Sequence, residues 1–217
     1  MSFDDRWETD IYAKSLQVNR YPFDQVVSTV FNLFGNSDRS KVNILELGCG
    51  TANNIAFLAQ EGFNATGVDG APNAIELGRK FLDTLSLNAT LDCFDFSDLS
   101  RYADETFDMV IDRGSITHNN RQSITDIIPQ VKRILKPNGI FLSVMFSAAH
   151  SGVKVGTKLP DGSYKGFSSG HLKDHKFVFY FASEEDTVEF FDKNFEVLSK
   201  LHKVSTDHTV NDDIRAM

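Results

Sequence analysis

The chain is poor in several features that would point to particular classes of protein. Two cysteines among 217 residues are too few for a disulfide framework. No apolar run approaches the ~20 residues that cross a bilayer, and the start lacks a signal-peptide pattern. Basic side chains number 22 against 30 acidic ones, so the formal net charge is −8. This balance argues against a broad basic face for nucleic acid, and we expect a cytoplasmic protein that binds neither nucleic acid nor membranes.

Metal-binding motifs, internal repeats and low-complexity linkers are also missing. His171 and His175 stand four residues apart without an acid at metal-site spacing, so we expect no metal. Apolar residues make up 41 % of the chain, as is usual for a globular protein. We therefore predict one domain over residues 1–217, with Cys49 and Cys93 as small buried side chains.

Alternating strand and helix patterns begin at residue 42 and indicate the fold class. Such alternation predicts an α/β, Rossmann-like, doubly wound and mostly parallel sheet with helices on both faces. An amphipathic helix is expected before it, at 25–34. A strand at 176–181, a helix at 183–194 and a strand at 196–202 are expected after it. The polar stretch 206–217 shows no clear final strand. The predicted strands of the sheet are 42–47, 63–68, 89–94, 107–112 and 139–146, and its helices are 52–61, 73–85 and 122–135.

Residues 44–54, Ile-Leu-Glu-Leu-Gly-Cys-Gly-Thr-Ala-Asn-Asn, are the most informative segment. Gly48 and Gly50 follow a short apolar run and precede a helical pattern, which predicts a strand, a tight turn and a helix N-terminus. Such a turn lets a ligand approach the backbone, so we expect a nucleoside-type cofactor there. A dinucleotide motif would have a third glycine in place of Asn53, and Glu46 would repel a pyrophosphate.

Residues 46–51 resemble the first motif of class I S-adenosylmethionine-dependent methyltransferases, whose ligand is cationic. Four more segments follow in that family's order, so the resemblance covers roughly residues 42–147. They are Asp69-Gly70-Ala71-Pro72, Asp95-Phe96-Ser97-Asp98-Leu99, Phe107–Asp112 and Leu135–Ile140. The resemblance implies S-adenosylmethionine as cofactor and S-adenosylhomocysteine as product.

The resemblance also implies which residues of this chain form the cofactor site. Asp69 would hold the ribose hydroxyls, Asp95 would bind the adenine amino group, and Phe96 would lie along the ring. The implied cofactor-binding residues are Trp7, Tyr12, Arg20, Glu46, Gly48, Cys49, Gly50, Asn54, Asp69, Gly70, Ala71, Asp95, Phe96, Asp112 and Arg113.

Residues 1–35 are predicted to be a cap over the cofactor-binding core at 36–147. Arg20 suits the methionine carboxylate because a guanidinium matches a carboxylate in two hydrogen bonds. Trp7 or Tyr12 could favour a sulfonium by cation–π attraction. Residues 148–176 lack apolar periodicity and leave the carboxyl end of the fifth strand, which favours a substrate lid. Residues 177–217 are expected to form the C-terminal edge of the sheet.

The segment Asp112-Arg113-Gly114 stands where the acceptor should meet the methyl group, and it resembles the thiopurine-methyltransferase-like branch. His118 is the candidate general base, because its usual pKa of about 6.5 suits accepting a hydroxyl proton. A packing or capping role is the alternative for His118. Rival histidines in or beside the lid are His150, His171 and His175.

The sequence thus predicts methyl transfer to a small polar acceptor. Oxygen is slightly preferred as the accepting atom, and a saccharide, a sugar nucleotide or a phosphorylated precursor of a bacterial surface glycan is a candidate. Two alternatives are an NAD(P)-dependent oxidoreductase and a cofactor-binding, non-catalytic partner subunit. The oligomeric state stays open.

Overall fold

A five-stranded sheet forms the centre of the protein in the computed structural model, which describes residues 3–14, 16–173 and 175–205. The strand order is β3-β2-β1-β4-β5, and every neighbouring pair is parallel. The strands are β1 (Asn43–Leu47), β2 (Asn64–Asp69), β3 (Thr90–Cys93), β4 (Phe107–Arg113) and β5 (Leu135–Val144).

Helices precede the sheet or connect its strands, and local signals in the sequence fix several of their ends. Pro72 is the first residue of α3, where its missing N–H costs nothing. The side chain of Asn120 accepts a hydrogen bond from the Ser123 N–H and caps α4, which continues through Pro129. The helices are α1 (Asp24–Phe34), α2 (Asn53–Gln60), α3 (Pro72–Thr84) and α4 (Arg121–Ile134).

Apolar side chains cover both faces of the sheet, as expected for a parallel sheet. Alternate residues of β1 point to opposite sides: Ile44 packs in the cluster with α1, α2 and α3, whereas Leu45 and Leu47 pack in the cluster with α4. This arrangement confirms the predicted α/β, doubly wound fold.

The order of the strands reverses beside β1. The chain adds β2 and β3 on one side of β1 and then crosses over to place β4 and β5 on the other. Leu47 at the end of β1 is paired with Val68 of β2 and Asp112 of β4. Open α/β sheets bind ligands in the crevice at such a switch point, outside the carboxyl ends of the strands.

The region after β5 is more ordered than its sequence indicates. It contains a helical turn, α5 (Gly152–Val155), and an antiparallel pair, β6 (Thr157–Lys158) and β7 (Tyr164–Lys165). These elements surround a third apolar cluster, whose buried residues are Phe167, Leu172, Phe177, Phe179 and Phe181.

Three predictions for the C-terminal region need correction. Residues 176–181 form no regular strand, and only an isolated bridge from Phe179 to Tyr164 joins them to β7. The predicted helix at 183–194 is a short α6 (Glu184–Thr187) followed by a π-helical turn at Val188–Asp192. Residues 196–202 are not a strand. The stretch 206–217 lies outside the described residues.

Two further observations concern the absences noted in the sequence. Cys49 is buried as predicted, but Cys93 is exposed at the end of β3, so its predicted burial was wrong. Within the described ranges, the helices are too short or too polar to cross a bilayer.

Candidate functional site

The glycine turn after β1 lies in the crevice and has a left-handed backbone. Gly48 and Gly50 have φ angles of +64° and +52°, and Ala52 has one of +65°. A Cβ on Gly48 would lie 2.2 Å from Ser115 Oγ, and one on Gly50 would lie 2.9 Å from the Tyr12 hydroxyl. Glycine is therefore required at both positions, because the φ angles are positive and because a Cβ would come too close to Ser115 or Tyr12.

Asp69 joins the end of β2 to this turn. Its Oδ2 accepts a hydrogen bond from the Gly50 N–H at 2.9 Å, and its Oδ1 accepts one from the Ala71 N–H at 2.9 Å. Burial raises the pKa of Asp69 to about 6, against the effect of these two bonds. The side chain lies at the position that the sequence indicates for a ribose ligand, and it also holds the turn in shape.

Among the buried acids of the site, Glu46 has the most strongly raised pKa. Its Oε1 accepts a hydrogen bond from Asn54 Nδ2 at 2.6 Å, while its buried Oε2 has no hydrogen-bond partner among the described residues. Burial, with smaller contributions from the charges of Asp112 and Asp69, raises the pKa of Glu46 to about 8. A cationic group placed beside this carboxyl would supply the missing partner and lower that pKa.

Both carboxylate oxygens of Asp112 accept hydrogen bonds within the protein. Its Oδ1 accepts hydrogen bonds from the Ser115 and Ile116 N–H groups at 2.8 and 3.0 Å, and its Oδ2 accepts one from Ser143 Oγ at 2.9 Å. Burial raises its pKa to about 6. Asp112 thereby shapes the segment that places Ser115 over the glycine turn.

The Arg113 side chain packs against the aromatic ring of the residue that precedes α1. Its guanidinium lies 4.0 Å from the centre of the Phe23 ring, and its buried Nε has no hydrogen-bond partner among the described residues. The Phe23 N–H donates to Asn54 Oδ1 at 3.0 Å, which links this pair to α2 and to Glu46. Arg113 thus lies against the segment that enters α1.

Asp95 and Phe96, predicted to bind the adenine, lie in the loop that follows β3. Asp95 Oδ1 accepts a hydrogen bond from the Ser97 N–H at 2.9 Å, and its Oδ2 accepts one from the Phe3 N–H at 3.0 Å. The Phe96 ring comes within 3.5 Å of the position that a Cβ on Gly48 would take. Asp95 and Phe96 therefore belong to the same crevice as the glycine turn.

The N-terminal segment lies over α3 and the glycine turn. Residues Trp7–Tyr12 form a π-helical turn, and the buried Tyr12 packs against Ala71 and Ala74. Glu8 accepts a hydrogen bond from the Asn73 N–H at 3.0 Å and so caps the start of α3. Arg20, proposed for a carboxylate, is exposed.

His118 is surrounded by aromatic rings. Its ring centre is 4.9 Å from that of Trp7 and 4.6 Å from that of Phe179, both in edge-to-face geometry. Its Nδ1 lies 3.3 Å from the Val178 carbonyl oxygen and donates to it, which leaves Nε2 as an acceptor. Burial lowers the pKa of His118 to about 4, so the ring is neutral at pH 7.

His150, a rival candidate for the general base, packs against aromatic rings of the third apolar cluster. His150 Nδ1 accepts a hydrogen bond from the Gly152 N–H at 2.9 Å, and its ring stacks on Phe181. Across the described parts of the chain, no three side chains of metal-binding type form a group.

Sequence reasoning missed four residues that shape the crevice. Ser115 covers Gly48, Phe3 reaches Asp95, and Phe177 and Phe179 are ring neighbours of Trp7 and His118. The apolar run at 177–181 is a visible signal, but its pattern predicts a sheet strand at 176–181 and not ring contacts with His118. Phe3 has no local signal, because its partner is 92 residues away.

Residues 44–139 match a protein family described as a methyltransferase domain. A curated relative, 2-heptyl-1-hydroxyquinolin-4(1H)-one methyltransferase from Mycobacteroides abscessus, is 30 % identical over 109 residues, which is 49 % of this chain and 47 % of the relative. The chain thus spans about half the length of this relative.

Solved structures show the same fold. A protein described as a SAM-dependent methyltransferase from Methanosarcina mazei superposes with a TM-score of 0.63 at 22 % identity, over 80 % of this chain and 84 % of that one. A protein from Pyrococcus horikoshii superposes with a TM-score of 0.60 at 21 % identity, over 75 % and 76 % of the two chains.

Proposed function

We propose that this protein binds S-adenosylmethionine and transfers its methyl group to a small molecule. Residues 44–139 match a methyltransferase domain family, and the sheet around them has the fold of a protein described as a SAM-dependent methyltransferase. One observation supports the cofactor most directly. The left-handed glycine turn lies among three buried acids, Glu46, Asp69 and Asp112. Such an acidic wall disfavours a pyrophosphate and suits a ligand with a sulfonium and an ammonium group.

Individual residues fit the parts of this cofactor. The turn at Gly48 and Gly50 offers its backbone at close range. Asp69 at the end of β2 can accept from the ribose hydroxyls through its remaining lone pairs, and the family resemblance assigns the adenine amino group to Asp95, whose Oδ2 accepts from the Phe3 N–H in this structure. The free Oε2 of Glu46 suits the cationic end of the ligand. When bound, S-adenosylmethionine supplies a methyl group already activated on sulfur, so the protein mainly has to align the acceptor.

The surroundings of His118 favour an acceptor with a flat, apolar body. Trp7 and Phe179 contact the imidazole by their rings, and Phe177 stacks on Trp7 with ring centres 4.1 Å apart. A saccharide would bring several hydroxyl groups that these rings cannot hydrogen-bond. The Mycobacteroides abscessus relative is named for a hydroxyquinolone, an aromatic acceptor with an oxygen. We therefore infer O-methylation of a hydroxylated aromatic compound and place the predicted glycan precursor second.

His118 would orient this acceptor. With Nδ1 donating to Val178, the Nε2 lone pair can accept a hydrogen bond from the acceptor hydroxyl. A pKa of about 4 makes the imidazole a weak base at pH 7. An acceptor whose hydroxyl is itself acidic, such as a phenol or an N-hydroxy compound, needs little help in losing its proton.

Calorimetric titration tests the cofactor first. We expect S-adenosylmethionine and S-adenosylhomocysteine to bind to the purified protein, and Asp69→Ala to bind them much more weakly. Asp83→Ala, which removes an exposed carboxylate at the far end of α3, is the matched control. Heat from NADH and none from either sulfur ligand would instead favour the oxidoreductase alternative.

An acceptor panel then tests the chemistry. Formation of S-adenosylhomocysteine is measured with hydroxyquinolones and phenols on one side and with sugars and sugar nucleotides on the other. Turnover confined to the aromatic compounds supports the acceptor class. Turnover confined to sugars would contradict it, and cofactor binding without turnover on either set would favour the non-catalytic subunit.

A further inference from the structure

The N-terminal residues 3–12, here called the strap, lie inside the crevice as well as above it. They cross the carboxyl ends of β1, β2 and β3, since Tyr12 contacts the glycine turn, Glu8 caps α3 and Phe3 reaches Asp95. The strap therefore touches the same surface that the proposed function assigns to the cofactor.

Phe3 is the key residue of this overlap. Its backbone N–H donates to Asp95 Oδ2 at 3.0 Å. Its ring covers Gly70 so closely that a Cβ built on this glycine would lie 2.3 Å from a ring carbon. A planar ring stacked on the backbone after β2, with a donor aimed at Asp95, is what an adenine with its amino group would present there. Phe3 and an adenosine cannot occupy this position together.

The end of the strap that carries Phe3 can be released at low cost. Phe3 is held by one backbone hydrogen bond to Asp95 and by the packing of its ring on Gly70, and the exposed Arg6 side chain donates to the Lys176 carbonyl oxygen. Single exposed hydrogen bonds and ion pairs contribute little to stability. This end can therefore leave the crevice while Trp7 stays on Phe177 and Tyr12 stays buried.

We propose that the strap is an autoinhibitory segment, in which Phe3 competes with the adenosine part of the cofactor for Asp95 and Gly70. This rests on the proposed function. The apparent dissociation constant is the intrinsic one divided by the fraction of open molecules, so a strap closed in about nine of ten molecules weakens binding about tenfold. Cofactor binding and release of the strap are then one coupled equilibrium.

Phe3→Ala separates this device from a cap that closes over a bound ligand. We expect Phe3→Ala to bind S-adenosylhomocysteine about three- to tenfold more tightly than the unchanged protein, because the competitor is lost. Phe81→Ala is the matched control, since it also removes a half-buried phenyl ring, but from the C-terminal part of α3. Its affinity should equal that of the unchanged protein.

Trp7 gives a second readout, because it is the only tryptophan of the chain. We expect S-adenosylhomocysteine to shift its fluorescence as Phe3 leaves, because Phe3 and Trp7 pack against the same cluster of Tyr12, Ala71 and Ala74, and we expect Phe3→Ala to show part of that shift without ligand. Equal or weaker binding by Phe3→Ala, with unchanged Trp7 emission, would overturn the autoinhibitory strap while leaving the proposed function intact. If the unchanged protein and both variants all fail to bind, the proposed function fails and the competition with it.

Discussion

Replacing Glu46 by glutamine should remove most of a steep dependence of stability on pH. Glu46 is 3 % exposed, accepts one hydrogen bond from Asn54, and has a pKa raised by burial from its usual 4.5 to about 8. The folded protein thus holds this carboxyl neutral over a pH range in which the unfolded chain ionises it. Glutamine has almost the same shape and cannot titrate.

The direction and size follow from proton linkage. Because the folded pKa is the higher one, Glu46 favours the folded state most at pH values below 4.5, and this contribution is lost as pH rises towards 8. Each pH unit in that range costs about 1.4 kcal/mol, so the loss is at most about 5 kcal/mol at pH 8. Asp69 and Asp112 titrate in both proteins, and their effects largely cancel in the difference.

Urea unfolding followed by circular dichroism at pH 5, 6, 7 and 8 measures this difference. We expect Glu46→Gln and the unchanged protein to have similar stability at pH 5, and the variant to gain by several kcal/mol towards pH 8. Glu196→Gln removes an exposed carboxylate and controls for net charge. Parallel stability curves for Glu46→Gln and the unchanged protein would refute the burial of a neutral Glu46.

The same carboxyl links cofactor binding to proton release. At pH 7 about nine-tenths of Glu46 is protonated, and a cationic ligand beside its free oxygen would lower the pKa and expel that proton. Titration of S-adenosylmethionine in two buffers with different ionisation enthalpies should therefore give different heats. Glu46→Gln should give equal heats after correction for dilution. Equal heats for the unchanged protein would mean that the cation lies elsewhere.

Three more substitutions test the turn, the acceptor site and a helix start. Gly48→Ala should lower stability by about 2 kcal/mol more than Gly62→Ala, because both have positive φ but only Gly48 faces a close side chain; equal urea midpoints would contradict this. His118→Ala should slow methyl transfer about 100-fold, because the acceptor hydroxyl loses the hydrogen bond that orients it, and the unchanged enzyme should show no loss from imidazole protonation above pH 5; a normal rate in the variant would remove His118 from the site. Ser183→Ala should cost about 1 kcal/mol by breaking the capping box with Asp186, as read from thermal unfolding, and an unchanged midpoint would show that this cap is dispensable.

The central sheet was predictable because its signals are local. Apolar runs of strand length, a proline opening α3 and the two glycines after β1 each restrict the backbone through a few neighbouring residues. The capping box of Ser183 and Asp186 is likewise local, because its two residues lie three positions apart. The predicted order of the five sheet strands and of the helices α1 to α4, and the position of the glycine turn, are confirmed.

The failed strand predictions show where local pattern stops being enough. Residues 177–181 form an apolar run of strand length, yet the backbone N–H of Tyr180 donates to the Thr117 carbonyl oxygen, and the rings of Phe177 and Phe179 pack beside His118. Residues 196–202, also predicted as a strand, pair with no strand and leave Leu198 and Leu201 exposed. A strand needs a free sheet edge at the right distance, and no short segment encodes that.

The sequence by itself determined the order of strands and helices in the central sheet, the left-handed turn at Gly48 and Gly50, and the acids at the ends of β1 and β2, since each depends on residues adjacent in the chain. Only the tertiary structure decided the protonation of Glu46, the aromatic surroundings of His118 and the contact of Phe3 with Asp95. These depend on burial and on approaches between residues far apart in sequence, and both the pKa of a side chain and competition for a crevice are set by the atoms that surround them in space.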